Sequence, residues 1–209
     1  MLDLVLPLEC GGCGVPSTRW CDACARELAL KPDDPRLINP RVDPQVPVFA
    51  LGRYAGARRT AIVAAKEHGR SDLIVPLSDA LGEGVDRLVG WGIVDRPLTL
   101  VPAPTRRAAA RRRGGDPVAR IATAVANHRD GVDVVNALRM RATTRDSVGL
   151  STTARQRNVH GRVRLRRPIG RTVLLVDDIV TTGATAAESV CILQGAGARV
   201  AGVLAIAHA

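Results

Sequence analysis

Apolar positions recur along most of the chain with the spacing of helices and of short buried strands. Helical spacing covers residues 58–68, 73–89 and 117–128, where apolar side chains return every three or four positions. Two shorter runs, at residues 98–101 and 171–176, are almost continuously apolar, which is typical of strands buried on both faces. Helices and strands therefore alternate, as they do in an α/β domain.

The C-terminal end of the chain repeats this alternation. The strand at residues 171–176 is followed by a helix over residues 183–194, which ends at Gly195 and Gly197, and by a final strand over residues 199–207. A strand, a helix and a second strand in this order predict a right-handed parallel crossover.

Two stretches break the pattern. Residues 31–47 are rich in Pro and Asp, which predicts a linker between residues 1–30 and a main domain over residues 48–209. Residues 139–167 hold many Arg, Thr, Ser and Asn but few core residues, which predicts a mobile or surface-bound connection. The predicted organisation is a small N-terminal segment, a linker and one full-sized domain.

The amino-acid composition limits the fold classes that the chain can adopt. The chain has 209 residues, of which 46% are apolar and only 2% aromatic. This length accommodates one ordinary domain with a small appendage, and its core must be built from Val, Leu, Ile and Ala. Such a core is typical of a parallel sheet covered by helices, so we predict an α/β fold of that kind.

The charge of the chain points to anionic partners. The formal net charge is +10, and nearly all of the positive charge is arginine, because Lys31 and Lys66 are the only lysines. Nucleic acid, a phosphorylated metabolite or a need for solubility alone would each account for this charge.

Targeting signals are not evident. The first nine residues are apolar but contain Asp3 and Pro7 and lack the basic leader of a secretory signal. No apolar run approaches the length of a membrane span. We therefore expect a cytoplasmic protein with no membrane partner.

The most informative segment is residues 173–185, with the sequence VLLVDDIVTTGAT. Ligands of open α/β sheets bind beyond the carboxyl ends of strands, where Asp177 and Asp178 are expected. Ionised carboxylates accept hydrogen bonds from a ribose diol and can hold Mg2+ through water. Threonine hydroxyls, N–H groups freed by Gly183 and a helix N-terminus then suit a phosphate. The alternative is an ordinary strand that ends in acidic residues at a helix cap.

This segment matches the signature of type I phosphoribosyltransferases, in which two acidic residues precede a threonine-rich phosphate loop. Nearly the whole chain resembles the ComF family, named for competence proteins and including relatives linked to gluconate uptake. The resemblance also rests on the four-cysteine start, on residues 62–66 as a helix that ends in Lys66, on residues 101–104 (VPAP) and the arginines after them, and on residues 155–159.

The resemblance implies that phosphoribosyl pyrophosphate, or a phosphoribosylated metabolite, binds with Mg2+. Asp177 and Asp178 would contact the ribose, while Arg106 and Arg107 would stabilise the charge that develops on the departing pyrophosphate. The alternative for these arginines is a basic surface loop. The other ligand-binding residues that the resemblance implies are Lys66, Pro102, Ala103, Arg155, Val180, Thr181, Thr182, Gly183, Ala184 and Thr185.

Residues 139–159 resemble the flexible loop that closes over the active site in this fold, with Arg155 and Asn158 at family positions. Closure would exclude water from a ribosyl centre that is easily hydrolysed. A disordered basic connector is the alternative. The chain departs from the family pattern at residues 113–117, which read RGGDP instead of the usual RGFNQ, and this departure bears on acceptor binding.

Four of the five cysteines form two CxxC pairs, Cys10 with Cys13 and Cys21 with Cys24, separated by seven residues. This spacing lets four thiolates surround one Zn2+ ion, and a segment so short would depend on the metal for its folding free energy. Four thiolates leave no open position, so the predicted zinc ribbon is structural. The alternatives are disulfides and a redox pair.

Three functions fit these observations. The first is an enzyme that transfers the phosphoribosyl group from phosphoribosyl pyrophosphate to an unidentified acceptor. The second is an accessory protein that binds single-stranded DNA through its basic surface, although the scarcity of aromatic residues argues against base stacking. The third is a sensor that binds phosphoribosyl pyrophosphate without catalysis. The acceptor and the oligomeric state are left open.

Overall fold

The computed structural model of the chain describes residues 8–105, 115–141 and 161–209. Its elements, in chain order, are α1 (Asp22–Leu28), β1 (Arg36–Ile38), β2 (Val48–Ala50), α2 (Gly56–Glu67), a short 3-10 turn (Ser71–Leu73), α3 (Ile74–Gly90), β3 (Leu98–Pro102), α4 (Pro117–Asn127), β4 (Val132–Val134), β5 (Leu138–Met140), β6 (Val163–Leu165), β7 (Thr172–Val180), α5 (Ala184–Gly195) and β8 (Arg199–His208).

Six strands form the main sheet in the order β1-β2-β8-β7-β3-β4. The edge strand β1 runs antiparallel to β2, and the other neighbouring strands are parallel. The predicted α/β fold, with a parallel sheet flanked by helices, is confirmed. The parallel pairing of β7 with β8 across α5 is also as predicted.

The sheet carries a hydrophobic core on each face. Alternation along β7 shows the division, because Leu174 and Val176 belong to the core beneath α2, α3 and α4, whereas Val173 and Leu175 belong to the core beneath α5. Among the described residues, the buried members of both cores are Leu, Val, Ile and Ala, with Phe49 as the one aromatic. Chains of this composition bury strands on both faces, which is the arrangement of a parallel sheet.

The predicted end of β7 was wrong. The apolar run stops at residue 176, but the strand continues through both acidic residues to Val180. The reason is pairing with β8, since Ile179 lies opposite Ala207 and Val180 opposite His208. The acidic pair therefore lies in the second half of a central strand and not in the loop after it.

Part of the predicted linker joins the sheet. Within residues 31–47, β1 pairs with β2, and Leu37 lies opposite Phe49. A three-residue strand between prolines is too short to show a periodicity of two, so the sequence pattern could not reveal it. The proposed boundaries at residues 30 and 47 stay predictions.

The predicted connection over residues 139–167 is partly ordered into a two-stranded antiparallel ribbon. Leu138 of β5 lies opposite Leu165 of β6, and Met140 lies opposite Val163. These four apolar side chains pack against the core beneath α5, so this part of the connection is packed structure. Residues 142–160, which include most of the predicted lid, lie outside the described residues.

Within the described ranges, no helix combines the length and apolar character needed to cross a membrane.

Candidate functional site

The acidic pair of β7 lies beside a lysine from α2. The Lys66 Nζ atom is 2.7 Å from Oδ2 of Asp178, whose side chain is only 7% exposed. Asp177 points to the other side of the strand and is partly exposed, and its Oδ1 accepts a hydrogen bond of 2.8 Å from the Asp178 N–H. Asp178 is thus held in a buried ion pair, while Asp177 is the more accessible carboxyl group.

The pKa values of Asp177 and Lys66 are both raised, but for different reasons. Burial, together with repulsion from Asp178, raises the pKa of Asp177 well above its ordinary value. Burial alone would lower the pKa of Lys66, but attraction from Asp178 and Asp177 outweighs it, so this pKa is raised. An added cation or hydrogen-bond donor next to Asp177 would therefore favour the ionised form of this carboxyl group.

The loop after β7 is shaped by a glycine. Gly183 has a φ of 82° and lies at the N-cap of α5. A Cβ atom there would collide with the Val42 carbonyl oxygen and would lie 2.7 Å from Cβ of Pro40. The Val42 N–H also donates a 2.8 Å hydrogen bond to the Thr182 carbonyl. The chain before β2 thereby supports the loop from behind, a contact that no sequence signal indicated.

The same loop presents unpaired N–H groups. Among the described residues, the backbone N–H groups of Thr181, Thr182 and Gly183 have no hydrogen-bond acceptor, and both threonines are exposed. The Ala184 N–H is 3.4 Å from Oγ1 of Thr182, at the first turn of α5. Free N–H groups at the start of a helix of this length attract an anion.

The adjacent strand β3 ends opposite the middle of β7. Pro102 lies opposite Val176 of β7, and the Ala103 N–H donates a 2.8 Å hydrogen bond to the Val176 carbonyl. Thr105 Oγ1 donates to Asp116 Oδ2 at 2.6 Å, and Oδ1 of that aspartate caps α4. The two ends of the segment between β3 and α4 are therefore joined by a side-chain bond that sequence reasoning missed.

The predicted phosphoribosyl residues that the structure describes lie on four segments. They are Lys66 near the end of α2, Pro102 and Ala103 at the end of β3 and just after it, Asp177, Asp178 and Val180 in the second half of β7, and Thr181, Thr182, Gly183, Ala184 and Thr185 in the loop after β7 and the first turn of α5. The contact between side chains of different segments is that of Lys66 with Asp178 among the described residues. Three predicted arginines, Arg106, Arg107 and Arg155, lie outside the described residues.

The four N-terminal cysteines form a separate cluster. The sulfur atoms of Cys10, Cys13, Cys21 and Cys24 all lie within 4.8 Å of one another. The Sγ atoms of Cys13 and Cys21 are 3.7 Å apart, close to the ~3.8 Å separation of thiolates around a tetrahedral zinc. This group of four thiols could bind a metal such as zinc.

Backbone N–H groups stabilise the thiolate form of Cys10. The N–H groups of Gly12 and Cys21 lie 3.5 and 3.4 Å from the Cys10 sulfur. Burial raises the pKa of Cys10, but hydrogen bonds from the backbone outweigh burial and lower it to about 6. Burial and the neighbouring thiols raise the pKa of Cys24 instead. A thiolate is the form that binds metal, so Cys10 is prepared as a ligand.

The cysteine segment packs directly on α2. A Cβ atom at Gly12 would lie 2.5 Å from the Cys24 sulfur and 3.1 Å from Ala57. The Ala57 N–H, in the first turn of α2, donates a 2.9 Å hydrogen bond to Oε1 of Glu27 on α1. The cysteine cluster therefore lies against the helix that carries Lys66 at its other end.

Comparison with known proteins does not assign this chain to a family. None of the protein-family models matches it, and a search of curated proteins finds no significant match. The argument for a function therefore rests on the geometry of the site and on the motif residues themselves.

Proposed function

We propose that this chain is a phosphoribosyltransferase-like protein of the ComF type, which binds phosphoribosyl pyrophosphate at the carboxyl ends of β3 and β7. One observation carries the proposal: the partly exposed Asp177 lies in the strand that leads directly into a loop whose three N–H groups have no acceptor among residues 8–105, 115–141 and 161–209. A carboxylate and an anion seat on one element suit a sugar and its phosphate.

The ribose is assigned to the acidic pair. Ionised carboxylates accept hydrogen bonds from vicinal hydroxyls. The partly exposed Asp177 is proposed as the first contact, and Asp178 is held in place by Lys66. Hydroxyl donors at Asp177 would stabilise its ionised form, which the free protein disfavours.

The 5′-phosphate is assigned to residues 181–185. Its oxygens would accept hydrogen bonds from the free N–H groups at the start of α5 and from the exposed hydroxyls of Thr181 and Thr182. Gly183 is required because its backbone angle and its contacts with Pro40 and Val42 exclude a side chain. The supported loop would reach the phosphate already in position.

The pyrophosphate is assigned to the segment that begins at Pro102 and Ala103 and includes Arg106 and Arg107. Mg2+ bound with the pyrophosphate would neutralise part of its charge. In the proposed transfer, the lone pair of an acceptor atom forms a bond to C1 of the ribose, and the bond from C1 to the pyrophosphate oxygen breaks with its electrons leaving on pyrophosphate. Fixed cationic donors favour that charge separation.

We further propose that the cysteine cluster holds a structural Zn2+ ion. The support is the mutual approach of the four sulfur atoms and their N–H donors. Four cysteine ligands would leave no position for a substrate, so the metal would stabilise the segment that packs on α2.

Titration calorimetry with phosphoribosyl pyrophosphate and Mg2+ tests the proposal. Wild type is expected to bind, and Asp177→Asn to bind at least ~10-fold more weakly, because it loses a charged hydrogen-bond acceptor. Asp79→Asn makes the same charge change at an exposed position of α3 and is expected to bind like wild type. Equal binding by Asp177→Asn and wild type would contradict the assignment.

Pyrophosphate release separates an enzyme from a sensor. The wild-type protein is incubated with phosphoribosyl pyrophosphate, Mg2+ and candidate nucleobases, amines and nucleotides. Release above the level of Asp177→Asn supports transfer, whereas tight binding without release across these acceptors supports the sensor.

A second candidate function, binding of single-stranded DNA, is favoured by the outer surface of the ribbon. Arg139 lies opposite Arg164, and the Arg141 N–H donates to the Arg162 carbonyl, so two pairs of arginines share the face away from the core. No ion pair joins these four side chains to another described residue. Like charges in direct opposition are destabilising, which favours a polyanion as the partner of this arginine face.

Replacing Arg139 and Arg164 together by alanine tests this candidate. The affinity for a fluorescent single-stranded oligothymidine, measured by anisotropy, is expected to fall, and its dependence on salt to lose about 1.4 from the logarithmic slope, at about 0.7 per phosphate contact. Arg199→Ala, at an exposed position at the start of β8, is the control. An unchanged slope in the double variant would exclude the arginine face as the binding surface.

A further inference from the structure

A cleft of about 590 Å3 is lined by residues from the ends of β2 and β8, from β1 and from the start of α2. Gly52 follows β2 and His208 ends β8, and the cleft is also lined by Glu27, Lys31, Asp34 and Arg58. His208 lies opposite Val180 in the neighbouring strand, so the cleft adjoins the phosphoribosyl site without sharing its residues. A cleft of this size can hold a small organic molecule.

Arg58 is the unusual member of the lining. The residue is only 6% exposed, and its Nη2 atom donates a 3.1 Å hydrogen bond to the Leu28 carbonyl. Its Nη1 atom is buried and has no hydrogen-bond partner within the part of the chain that the structure describes. A buried guanidinium with an unused N–H donor is unfavourable unless a bound anion accepts a hydrogen bond from that donor.

The acidic side chains of the cleft are already engaged elsewhere. Asp34 accepts a hydrogen bond from the Lys31 N–H at 2.9 Å and lies 3.3 Å from the Arg36 guanidinium. Glu27 accepts the Ala57 N–H. Burial lowers the pKa of Arg58, and attraction from Asp34 and Glu27 only partly offsets this effect. Neither acid forms an ion pair with Arg58 among the described contacts.

The rest of the lining favours an anion with an apolar body. Four cationic residues, Lys31, Arg36, Arg53 and Arg58, outnumber the two acids. Leu37 and Ile38 supply apolar surface in the same cleft. The absence of a side chain at Gly52 is also required, because a Cβ there would lie 2.9 Å from Cζ of Arg58.

We propose that this cleft is a second ligand site, which binds a small organic anion whose phosphate or carboxylate group contacts Arg58. The apolar part of the ligand would lie against Leu37 and Ile38. The inference rests on the cleft and on the Nη1 atom of Arg58, which has no hydrogen-bond partner among the described residues, and it stands whether or not phosphoribosyl pyrophosphate binds at Asp177.

Amide NMR spectra of the full chain test the site residue by residue, with inorganic phosphate and benzoate as separate probes. At least one of the two probes is expected to cause saturable shifts at Gly52, Arg53 and Ala55 in the wild type. Arg58→Met is expected to weaken these shifts at least ~10-fold, because the charged donor is lost. Arg59→Met, which removes the neighbouring exposed arginine, should keep them. Shifts at Thr181 to Gly183 report phosphate at the other site and should persist in both variants.

The two probes distinguish the chemistry of the ligand. If phosphate alone saturates the cleft amides, the ligand carries a phosphate group. If benzoate saturates them, alone or as well as phosphate, the ligand carries a carboxylate group attached to an apolar part. The proposal is overturned if neither probe saturates the cleft amides of the wild type, a result that needs no variant to fold. It is also overturned if folded Arg58→Met binds both probes as tightly as wild type.

Discussion

Replacing Cys24 by serine is expected to abolish metal binding and to unfold the cysteine segment. Cys24 is 2% exposed and packs in one buried cluster with Cys10 and with Ala57 of α2. Its replacement therefore removes a proposed metal ligand and a packed side chain together. Structural zinc sites contribute roughly 10–16 kcal/mol of apparent binding free energy at neutral pH, far more than such a short segment gains from its apolar contacts. The expected readouts are loss of one equivalent of zinc and rapid hydrogen exchange over residues 8–30.

The fifth cysteine provides the matched control. Cys191 is exposed on α5 and lies outside the cluster, so Cys191→Ser should keep both the metal and the melting temperature. Treating wild type with a chelator should reproduce the effect of Cys24→Ser. Retention of a full equivalent of zinc by a normally folded Cys24→Ser protein would show that the cluster is not the metal site.

Unfolding of the cysteine segment should also destabilise α2. Glu27 of α1 caps the first turn of this helix through Ala57, and Arg70 donates hydrogen bonds to the Glu9 and Arg19 carbonyls at 3.0 and 3.4 Å. Loss of metal is therefore expected to increase hydrogen exchange at the N-terminal end of α2 as well.

The two neighbouring aspartates are expected to affect stability in opposite directions. Asp178→Asn leaves Lys66 as a charge without its partner and should lower the free energy of unfolding by about 2 kcal/mol, below the ~3–5 kcal/mol of a fully buried pair because the Lys66 side chain keeps 32% exposure. Asp177→Asn should raise the melting temperature, because burial and Asp178 disfavour the carboxylate that it replaces.

The pH dependence follows from the raised pKa of Asp177. Its folded pKa lies above the ordinary value of 3.8, so the protonated form stabilises the folded chain below that value, and this stabilisation is lost as pH rises through the folded pKa. The melting temperatures of wild type and Asp177→Asn should therefore be similar near pH 4 and diverge at higher pH. A constant difference across this range would contradict the assigned cause.

A double variant isolates the ion pair. Replacing Lys66 by methionine in the Asp178→Asn background removes the unpaired charge and should recover much of the lost stability. Chemical denaturation of the two single variants and the double variant gives the coupling free energy. Additive effects would show that the 2.7 Å contact contributes little.

The sequence predicted the positions of the long elements well because their patterns are long. The helix predicted over residues 117–128 is Pro117–Asn127, and the one predicted over residues 73–89 is Ile74–Gly90. Over such lengths, burial of one face imposes a periodicity that is visible in the residues themselves. Short strands such as β1, β5 and β6 lack enough residues for this signal, and their formation depends on the neighbours with which they pair.

The chain alone determined which groups meet along β7 and its loop, and which four thiols lie near one another, because both sets are local in sequence. Only the tertiary structure decided that Lys66 pairs with Asp178, that Val42 supports Thr182, and that Arg58 lines a cleft while it donates to the Leu28 carbonyl. These contacts join residues far apart in the chain. They depend on how the strands are ordered and on how helices pack across the sheet, which local patterns do not specify.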